Sequence, residues 1–271
     1  MSAETEESSG QIIDFHNHVI PGVDDGARDA NDAREALAAM QADGVRALVA
    51  TPHVDASIAL REDRLNERMG EVDAGWTGLE GVLQDFPDLD VRRGAEVKLD
   101  LPDPDLTDPR FRLGASSFVL VEFPYFTVPP RSGRVMAHLR SRGWTPIVAH
   151  PERYGGMLSG VDVIEEWRAA GAYLQVNGPS LTGRYGEEPR QAAIRILERG
   201  WVDYLSSDYH ARGRPGIVGY RETLLALGGE EQVTLLMETN PGRMLMNEAP
   251  LPVPPLSAKR GLWDRISDAF R

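Results

Sequence analysis

The sequence of 271 residues contains no cysteine. This absence excludes disulfide bonds, thiolate metal sites and every mechanism that needs a cysteine nucleophile. It also fits a reducing compartment, so we expect a cytoplasmic protein.

Long apolar segments and an excess of positive charge are absent as well. No run approaches the roughly 20 apolar residues of a membrane span, and residues 1–10 (MSAETEESSG) lack the basic and apolar regions of a signal peptide. The chain has 42 acidic residues against 29 lysines and arginines, for a formal net charge of -13. Such a charge disfavours contact with nucleic acid or with an anionic membrane surface.

Hydrophobic residues make up 41% of the sequence, which is enough for a sizeable core. The length suits one α/β barrel or two ordinary domains. We expect a flexible tail over residues 1–10, one folded domain over 11–249, and a proline-rich linker with a short C-terminal helix over 250–271. That helix would either dock onto the domain or contact a partner or a membrane surface.

One unit recurs along the chain: an amphipathic helix that stops at a glycine and is followed at once by a short apolar strand. The glycines concerned are Gly44, Gly143, Gly171 and Gly200. Glycine is favoured just past a helix end because it takes positive φ without strain. Together with three further runs near 12–18, 91–97 and 118–123, these units predict seven parallel strands covered by helices.

Residue types that bind metals stand where these strands end. They are His16, His18, Glu96, His53, Glu122, His150, Asp208 and His210. Residues two apart in a strand point to the same side, so each closely spaced pair can face one cavity. Because the candidates follow at least six strands, a closed barrel is favoured over an open sheet. We therefore predict an α/β fold, a distorted seven-stranded, TIM-like (β/α)7 barrel that carries a multi-metal hydrolase site.

Each of these residues also has a simpler explanation. A lone histidine at a strand end is more often a hydrogen-bonded core residue, but five of them in register with three carboxylates favour a metal site. His138 lies in a predicted helix without an acidic neighbour, so we expect it to be structural or solvent-facing. Glu96 and Glu122 would need either a cation or an arginine partner. Asp24 and Asp25 are by default an acidic turn, although they lie close enough to the first strand to fold over the site.

The ordered motifs resemble those of the polymerase and histidinol phosphatase (PHP) superfamily. The motifs are DFHNH, PGVDDG, TPH, GAEV, VEFP, AHPERY, QVN and SSDYH. More narrowly, the chain resembles the manganese-dependent protein-tyrosine phosphatases of bacterial capsule and exopolysaccharide systems. PGVDDG, AHPERY, the QVNxxSLxGxYG pattern from Gln175 to Gly186, and the late Asn240-Pro241 distinguish this branch. The resemblance covers about residues 11–248 and implies the PHP fold.

The resemblance implies three divalent metal ions, most often manganese, while iron or zinc would also suit imidazole and carboxylate ligands. The first ion would be bound by His16, His18, Glu96 and Asp208. The second would be bound by a bridging Glu96 with Glu122 and His150. The third would be bound by Asp25, His53 and His210. The choice of Asp25 over Asp24 rests on the motif alignment alone, and Asp14 is expected to orient a ligand histidine.

A phosphate monoester dianion resists attack by an anionic nucleophile. Clustered divalent ions would overcome this by lowering the pKa of a bridging water, so that hydroxide attacks, and by stabilising the in-line transition state. Arg153 would bind a phosphate oxygen, unless it pairs with Glu152 instead. Arg212 or Arg214 would provide a second contact. Tyrosinate leaves readily because its pKa is near 10, so strong general-acid assistance is less necessary. A metal-bound water, or Asp208 as proton acceptor, would then suffice.

The resemblance therefore implies hydrolysis of protein phosphotyrosine, with the tyrosine-rich tail of a bacterial tyrosine kinase as the expected partner. Two alternatives remain open from the residues. A small-molecule phosphoesterase, such as a histidinol-phosphatase-like enzyme, would share the metals but not the preference for phosphotyrosine. A non-catalytic regulator would bind a kinase through the barrel mouth or the C-terminal helix.

Overall fold

The computed structural model describes residues 11–157 and 162–257. The predicted tail over residues 1–10 and the predicted helix after residue 258 lie outside the described residues. None of the described helices is long and apolar enough to cross a membrane.

Within the described ranges, every paired strand runs parallel to its neighbours. The strands are β1 (Ile12–Asn17), β2 (Val45–Ala50), β3 (His53–Asp55), β4 (Asp90–Arg93), β5 (Glu96–Lys98), β6 (Phe118–Glu122), β7 (Thr145–Ala149), β8 (Tyr173–Asn177) and β9 (Tyr204–Ser206). The helices are α1 (Ala30–Ala42), α2 (Glu62–Leu83), α3 (Ser132–Ser141), α4 (Asp162–Ala169), α5 (Gly178–Leu181), α6 (Glu187–Glu198), α7 (Ile217–Ala226), α8 (Glu230–Thr234) and α9 (Asn240–Leu245). The predicted α/β class with parallel sheets is confirmed.

The strands form two sheets, one in the order β1-β2-β4 and one in the order β3-β5-β6-β7-β8-β9. The last residues of β1 meet the residues that directly follow β9. Asp208 N donates to His16 O at 2.8 Å, and His18 N donates to Tyr209 O at 2.9 Å. These bonds bring the ends of β1 and β9 to the same place.

Two of the predicted strands are each interrupted, which gives more and shorter strands than the seven expected. The run from Val45 to His53 divides at Pro52, which has no N–H to donate to a sheet. The run from Val91 to Val97 divides at Gly94, where a Cβ atom would lie 2.8 Å from Val49 Cγ1. Glycine therefore allows the two neighbouring strands to approach closely at this kink.

The helix stops follow the prediction. Gly44 and Gly143 have φ values of +96° and +89°, and each comes directly before or near the start of a strand. The apolar faces of the helices are buried, as Leu37 and Met40 of α1 and Trp167 of α4 illustrate. These helices cover the outer side of the strands. A smaller apolar cluster packs Phe15, Phe118, Leu120, Ile147 and Tyr204 from different strands.

The described part of the proline-rich segment lies against the domain. Residues 250–257 have no regular secondary structure, as expected, but Val253 and Leu256 are buried. Leu256 N donates to Leu197 O at 2.9 Å, and Gln232 Nε2 donates to Pro254 O at 2.9 Å. This segment thus lies against α6 and α8.

Candidate metal centre

Four of the predicted ligands converge at the end of β1, at the first residue of β5 and just after β9. His16, His18, Glu96 and Asp208 are all buried. His16 Nε2 lies 3.2 Å from Glu96 Oε2 and 3.4 Å from Asp208 Oδ1. His18 Nε2 lies 3.5 Å and 3.3 Å from the same two oxygens. These are the four side chains that the resemblance assigned to the first ion, and their ligand atoms lie close enough together to hold one.

A second group shares Glu96. His53 Nδ1 lies 3.0 Å from Glu96 Oε2 and 3.5 Å from Glu122 Oε1. His150 Nε2, the predicted third member, lies 2.9 Å from Glu96 Oε1 and 3.8 Å from Glu122 Oε2. The structure therefore brings both histidines to this carboxylate pair, but His53 rather than His150 completes the group whose ligand atoms lie close enough together to hold one ion. The resemblance implied His150 in this place and assigned His53 to the third ion.

The third group lies at the solvent edge of the cluster. Asp25 Oδ1 is 3.5 Å from His53 Nε2 and 3.4 Å from His210 Nε2. The ring of His18 stacks on that of His210 with 4.1 Å between centroids, so it borders this group too. Eight of the nine predicted ligands belong to these three linked groups, and His150 joins them through Glu96 at 2.9 Å. His138 lies in α3 and belongs to none of the groups.

The unsatisfied atoms of this cluster fit a cation. His16 Nε2, His18 Nε2, His53 Nδ1 and Glu96 Oε2 are buried and have no hydrogen-bond partner among the described residues. Such atoms are costly to bury unless something binds them. Two ligand atoms on one ion at about 2.0–2.2 Å lie roughly 3.0–3.5 Å apart. The distances within the cluster match that spacing, so the residues present fit divalent metals.

Hydrogen bonds to the far side of two rings set which nitrogen faces the cluster. His16 Nδ1 is 2.9 Å from Gln175 Oε1, and His18 Nδ1 is 2.8 Å from Asp24 Oδ2. An oxygen there favours a proton on Nδ1, which leaves the Nε2 lone pair free for a metal. Asp24 also accepts from His53 N and Gly26 N. Asp24 therefore orients His18, and Asp25 is the residue whose carboxylate faces the cluster.

The carboxylates of the cluster stabilise positive charge on the neighbouring histidines. Burial lowers the pKa of His53, but Glu122 and Glu96 outweigh this effect and raise the pKa to about 10. Burial likewise lowers the pKa of His18, yet Asp208 and Asp24 hold that pKa well above its ordinary value. Without a metal, protons on these histidines balance the negative charge of the carboxylates. A metal ion must therefore displace these protons when it binds.

The backbone is strained at two of the predicted ligands. His150 has a φ of +36° and Asp208 a φ of +52°, a left-handed region that non-glycine residues seldom adopt. Both residues follow directly after or near the end of a strand. Such strain persists only where the surroundings enforce it, and it concentrates at functional sites. Here it directs both side chains into the cluster.

Arg153 contacts the cluster through Asp208. Its Nη1 donates to Asp208 Oδ2 at 2.9 Å, and Asn177 Nδ2 donates to the same oxygen at 2.7 Å. The expected alternative, an ion pair between Arg153 and Glu152, is not formed. The buried Glu152 carboxylate instead accepts from Ser180 Oγ and Asn177 N at 2.6 and 3.0 Å.

The two further arginines differ in position. Arg212 Nη2 donates to Asp25 O at 2.8 Å, next to the third group. Arg212 also lines a cavity of about 140 Å³ together with Asp208, His210 and Arg184. Arg214 is exposed and does not line that cavity. The geometry therefore favours Arg212 as the residue nearer the site.

Asp14 was predicted to orient a ligand histidine, and this prediction was wrong. Its buried carboxylate accepts from Ser207 N at 2.8 Å and from Ser207 Oγ at 2.6 Å, rather than from a histidine ring. It thereby fixes the turn that leads to Asp208. Sequence reasoning also missed the roles of Gln175 and Asn177, although their spacing of two residues in β8 is the same signal that identified the histidine pairs.

Comparison with known proteins places the chain in a family. The family model for capsular polysaccharide synthesis, CpsB/CapC, matches residues 12–246. The tyrosine-protein phosphatase YwqE of Bacillus subtilis is 28% identical over 259 residues, which are 92% of this chain and 97% of that protein. The tyrosine-protein phosphatase CpsB of Streptococcus pneumoniae is 26% identical over 247 residues, or 88% of this chain and 99% of that protein.

The fold agrees with these relatives. A crystal structure from work on YwqE of Bacillus subtilis and CpsB of Streptococcus pneumoniae, described as metal-dependent tyrosine phosphatases, matches with a TM-score of 0.72. The identity is 24%, and the match covers 91% of this chain and all of the other. The chain belongs to the capsular polysaccharide synthesis CpsB/CapC family.

Proposed function

We propose that the chain is a metal-dependent phosphomonoesterase that removes phosphate from protein phosphotyrosine. The observation that supports this most strongly is the set of eight imidazole and carboxylate side chains in three linked groups, joined by His150, with buried, unsatisfied ligand atoms. Relatives that cover nearly the whole chain are named tyrosine-protein phosphatases.

We assign three divalent ions to the cluster, with manganese as the proposed metal and iron or zinc compatible with the same ligand types. The first ion would be bound by His16, His18, Glu96 and Asp208. The second would be bound by Glu96, Glu122 and His150, with His53 alongside. The third would be bound by Asp25, His53 and His210. When bound, such ions supply a hydroxide nucleophile near neutral pH and neutralise the phosphoryl oxygens.

The protein side chains would bind and orient the phosphate. Arg153 Nη1 donates to Asp208, which leaves the other N–H groups of the guanidinium for phosphate oxygens. Arg212 would approach from the side of the third group. Burial raises the pKa of Asp208, but His16 and His18 outweigh burial and hold it well below its ordinary value. A weakly basic Asp208 is better suited to positioning Arg153 and binding metal than to accepting a proton, which favours water for that role.

We also propose that the two sheets act as one distorted seven-stranded barrel, in which β2 with β3 and β4 with β5 each count as one strand. The hydrogen bonds between the ends of β1 and β9 support closure. The domain would extend over residues 11–249, with 1–10 as a tail and 250–271 as a C-terminal extension. The proposed partner is the phosphorylated tail of a bacterial tyrosine kinase of polysaccharide export, met in the cytoplasm.

Turnover of matched substrates tests this function. The metal-loaded chain should hydrolyse a phosphotyrosine peptide with higher kcat/KM than the same peptide carrying phosphoserine, and than histidinol phosphate. His150→Ala should abolish turnover, whereas His138→Ala, the matched substitution outside the cluster, should leave it near the wild-type value. Preference for histidinol phosphate would indicate a small-molecule phosphoesterase. Turnover that survived His150→Ala would contradict the proposed site.

A further inference from the structure

Two of the few large hydrophobic side chains that the described residues expose are neighbours in the chain, and one of them, Phe126, contacts His150 of the candidate metal centre. Tyr125 is 95% exposed and Phe126 is 40% exposed. They follow Glu122 by three and four residues. Exposed aromatic rings beside a concave polar site commonly serve recognition, since each offers an apolar face to a ligand.

The backbone holds these rings in place. Tyr125 and Phe126 have φ values of +54° and +51°, so two consecutive non-glycine residues are left-handed. Hydrogen bonds on both sides maintain this turn. Thr127 N donates to Pro124 O at 3.0 Å, and Gly155 N donates to Phe126 O at 3.1 Å. These hydrogen bonds hold the strained turn in one conformation, and strain of this kind concentrates at functional sites.

The turn lies next to the proposed phosphate contact. The guanidinium of Arg153 lies between the rings of Phe126 and Tyr185, with Cζ 4.4 Å and 4.3 Å from the two centroids. The Phe126 ring also meets the ring of His150 edge-on, at 5.7 Å between centroids. A phosphate bound by Arg153 would therefore place its ester group beside Phe126, with Tyr125 further toward solvent.

On the basis of the function proposed above, we infer that Tyr125 and Phe126 form a ring-binding wall that selects aryl over alkyl phosphomonoesters. The phenyl ring of a phosphotyrosine is flat, apolar and long enough to reach from the buried cluster to the surface. It would stack on or pack edge-on against the wall, an interaction that the side chain of phosphoserine lacks. The wall acts on binding and positions the substrate, so its loss should appear in KM more than in kcat.

Competitive inhibitors test this wall without relying on hydrolysis of alkyl substrates. Benzylphosphonate keeps the ring and replaces the ester oxygen by a methylene, whereas butylphosphonate has no ring. Both are measured against hydrolysis of a phosphotyrosine peptide by the metal-loaded full chain. In Tyr125→Ala and in Phe126→Leu, the preference for benzylphosphonate over butylphosphonate should fall about 3- to 10-fold relative to wild type. Tyr125→Phe should retain the preference.

Met246→Ala is the matched control, because Met246 is 65% exposed and is not part of the wall or the cluster. It should leave both inhibition constants at the wild-type values. An unchanged preference in both wall variants, or an equal loss of both inhibitors, would overturn the wall while leaving the phosphatase function intact. A metal-loaded wild-type chain that fails to hydrolyse the phosphotyrosine peptide would overturn the proposed function, and the wall with it.

Discussion

Replacement of Asp24 by asparagine tests how His18 is oriented, because the substitution changes the hydrogen bond to the ring but keeps the ring itself. Asp24 Oδ2 accepts from His18 Nδ1 and His53 N at 2.8 and 3.1 Å, and Oδ1 accepts from Gly26 N at 3.0 Å. An asparagine has one carbonyl oxygen and one NH₂ group, so it can satisfy only one side of this arrangement.

The side-chain amide of the asparagine can take two orientations, and each would weaken metal binding by His18 in a different way. If the NH₂ group faces Gly26, His18 keeps its proton on Nδ1, but the negative charge that supports the ring is lost. If the NH₂ group faces His18, the ring must accept at Nδ1 and carry its proton on Nε2, the atom that faces the metal. Loss of such a supporting partner typically costs 10- to 100-fold in metal affinity, or roughly 1.4–2.8 kcal/mol.

Metal titration followed by phosphotyrosine turnover measures this effect. Asp24→Asn should bind manganese 10- to 100-fold more weakly, and excess metal should restore much of the turnover. Asp29→Asn is the matched control, since Asp29 caps α1 through Asn31 N and Asp32 N and asparagine caps equally well. Metal affinity of Asp24→Asn equal to that of Asp29→Asn would refute the account of how His18 is oriented.

Three further results are expected. Arg153→Ala should lower kcat/KM for a phosphotyrosine peptide by roughly 10²- to 10³-fold, and Arg153→Lys should recover little because lysine lacks the planar fork; equal activity of wild type and Arg153→Ala would exclude a phosphate contact. Arg212→Ala should reduce turnover in the same assay more than Arg214→Ala, and the reverse order would reassign the second contact. Burial raises the pKa of Asp203 from 3.8 to about 6 despite its ion pair with Arg168. The contribution of this carboxyl to stability is therefore full below pH 3.8 and is lost as the pH rises through about 6. Urea unfolding of Asp203→Asn should show a free energy of unfolding that varies less over this interval than that of wild type, and an unchanged pH dependence would contradict the shift.

The convergence of these residues could be predicted from the sequence, because parallel strands separated by helices bring their carboxyl ends to one edge. His53 and Glu96 were expected at strand ends but are the first residues of β3 and β5, because each of the two predicted strands is interrupted. The spacing of two residues in His16 and His18 sufficed to place both rings in one cavity. The glycine stops at Gly44 and Gly143 were equally readable, since positive φ at a helix end has a distinctive residue preference.

The supporting hydrogen bonds could not be predicted in the same way. His16 and Gln175 are separated by 159 positions in the chain, and their contact depends on how strands from different parts of the fold align. The choice of Asp208 over Glu152 as partner of Arg153 likewise depends on the left-handed turn at Asp208. Such features arise from tertiary packing, so neither periodicity nor local motif contains them.

Metal removal and replacement test the central claim most directly. The purified chain is analysed for metal content and for turnover of a phosphotyrosine peptide, first as isolated, then after exhaustive chelation, and then after addition of manganese. We predict bound divalent metal in the isolated protein, loss of turnover with the metal, and recovery with manganese. Undiminished turnover in a chain shown to be free of metal would contradict the claim that these histidines and carboxylates form a catalytic metal centre.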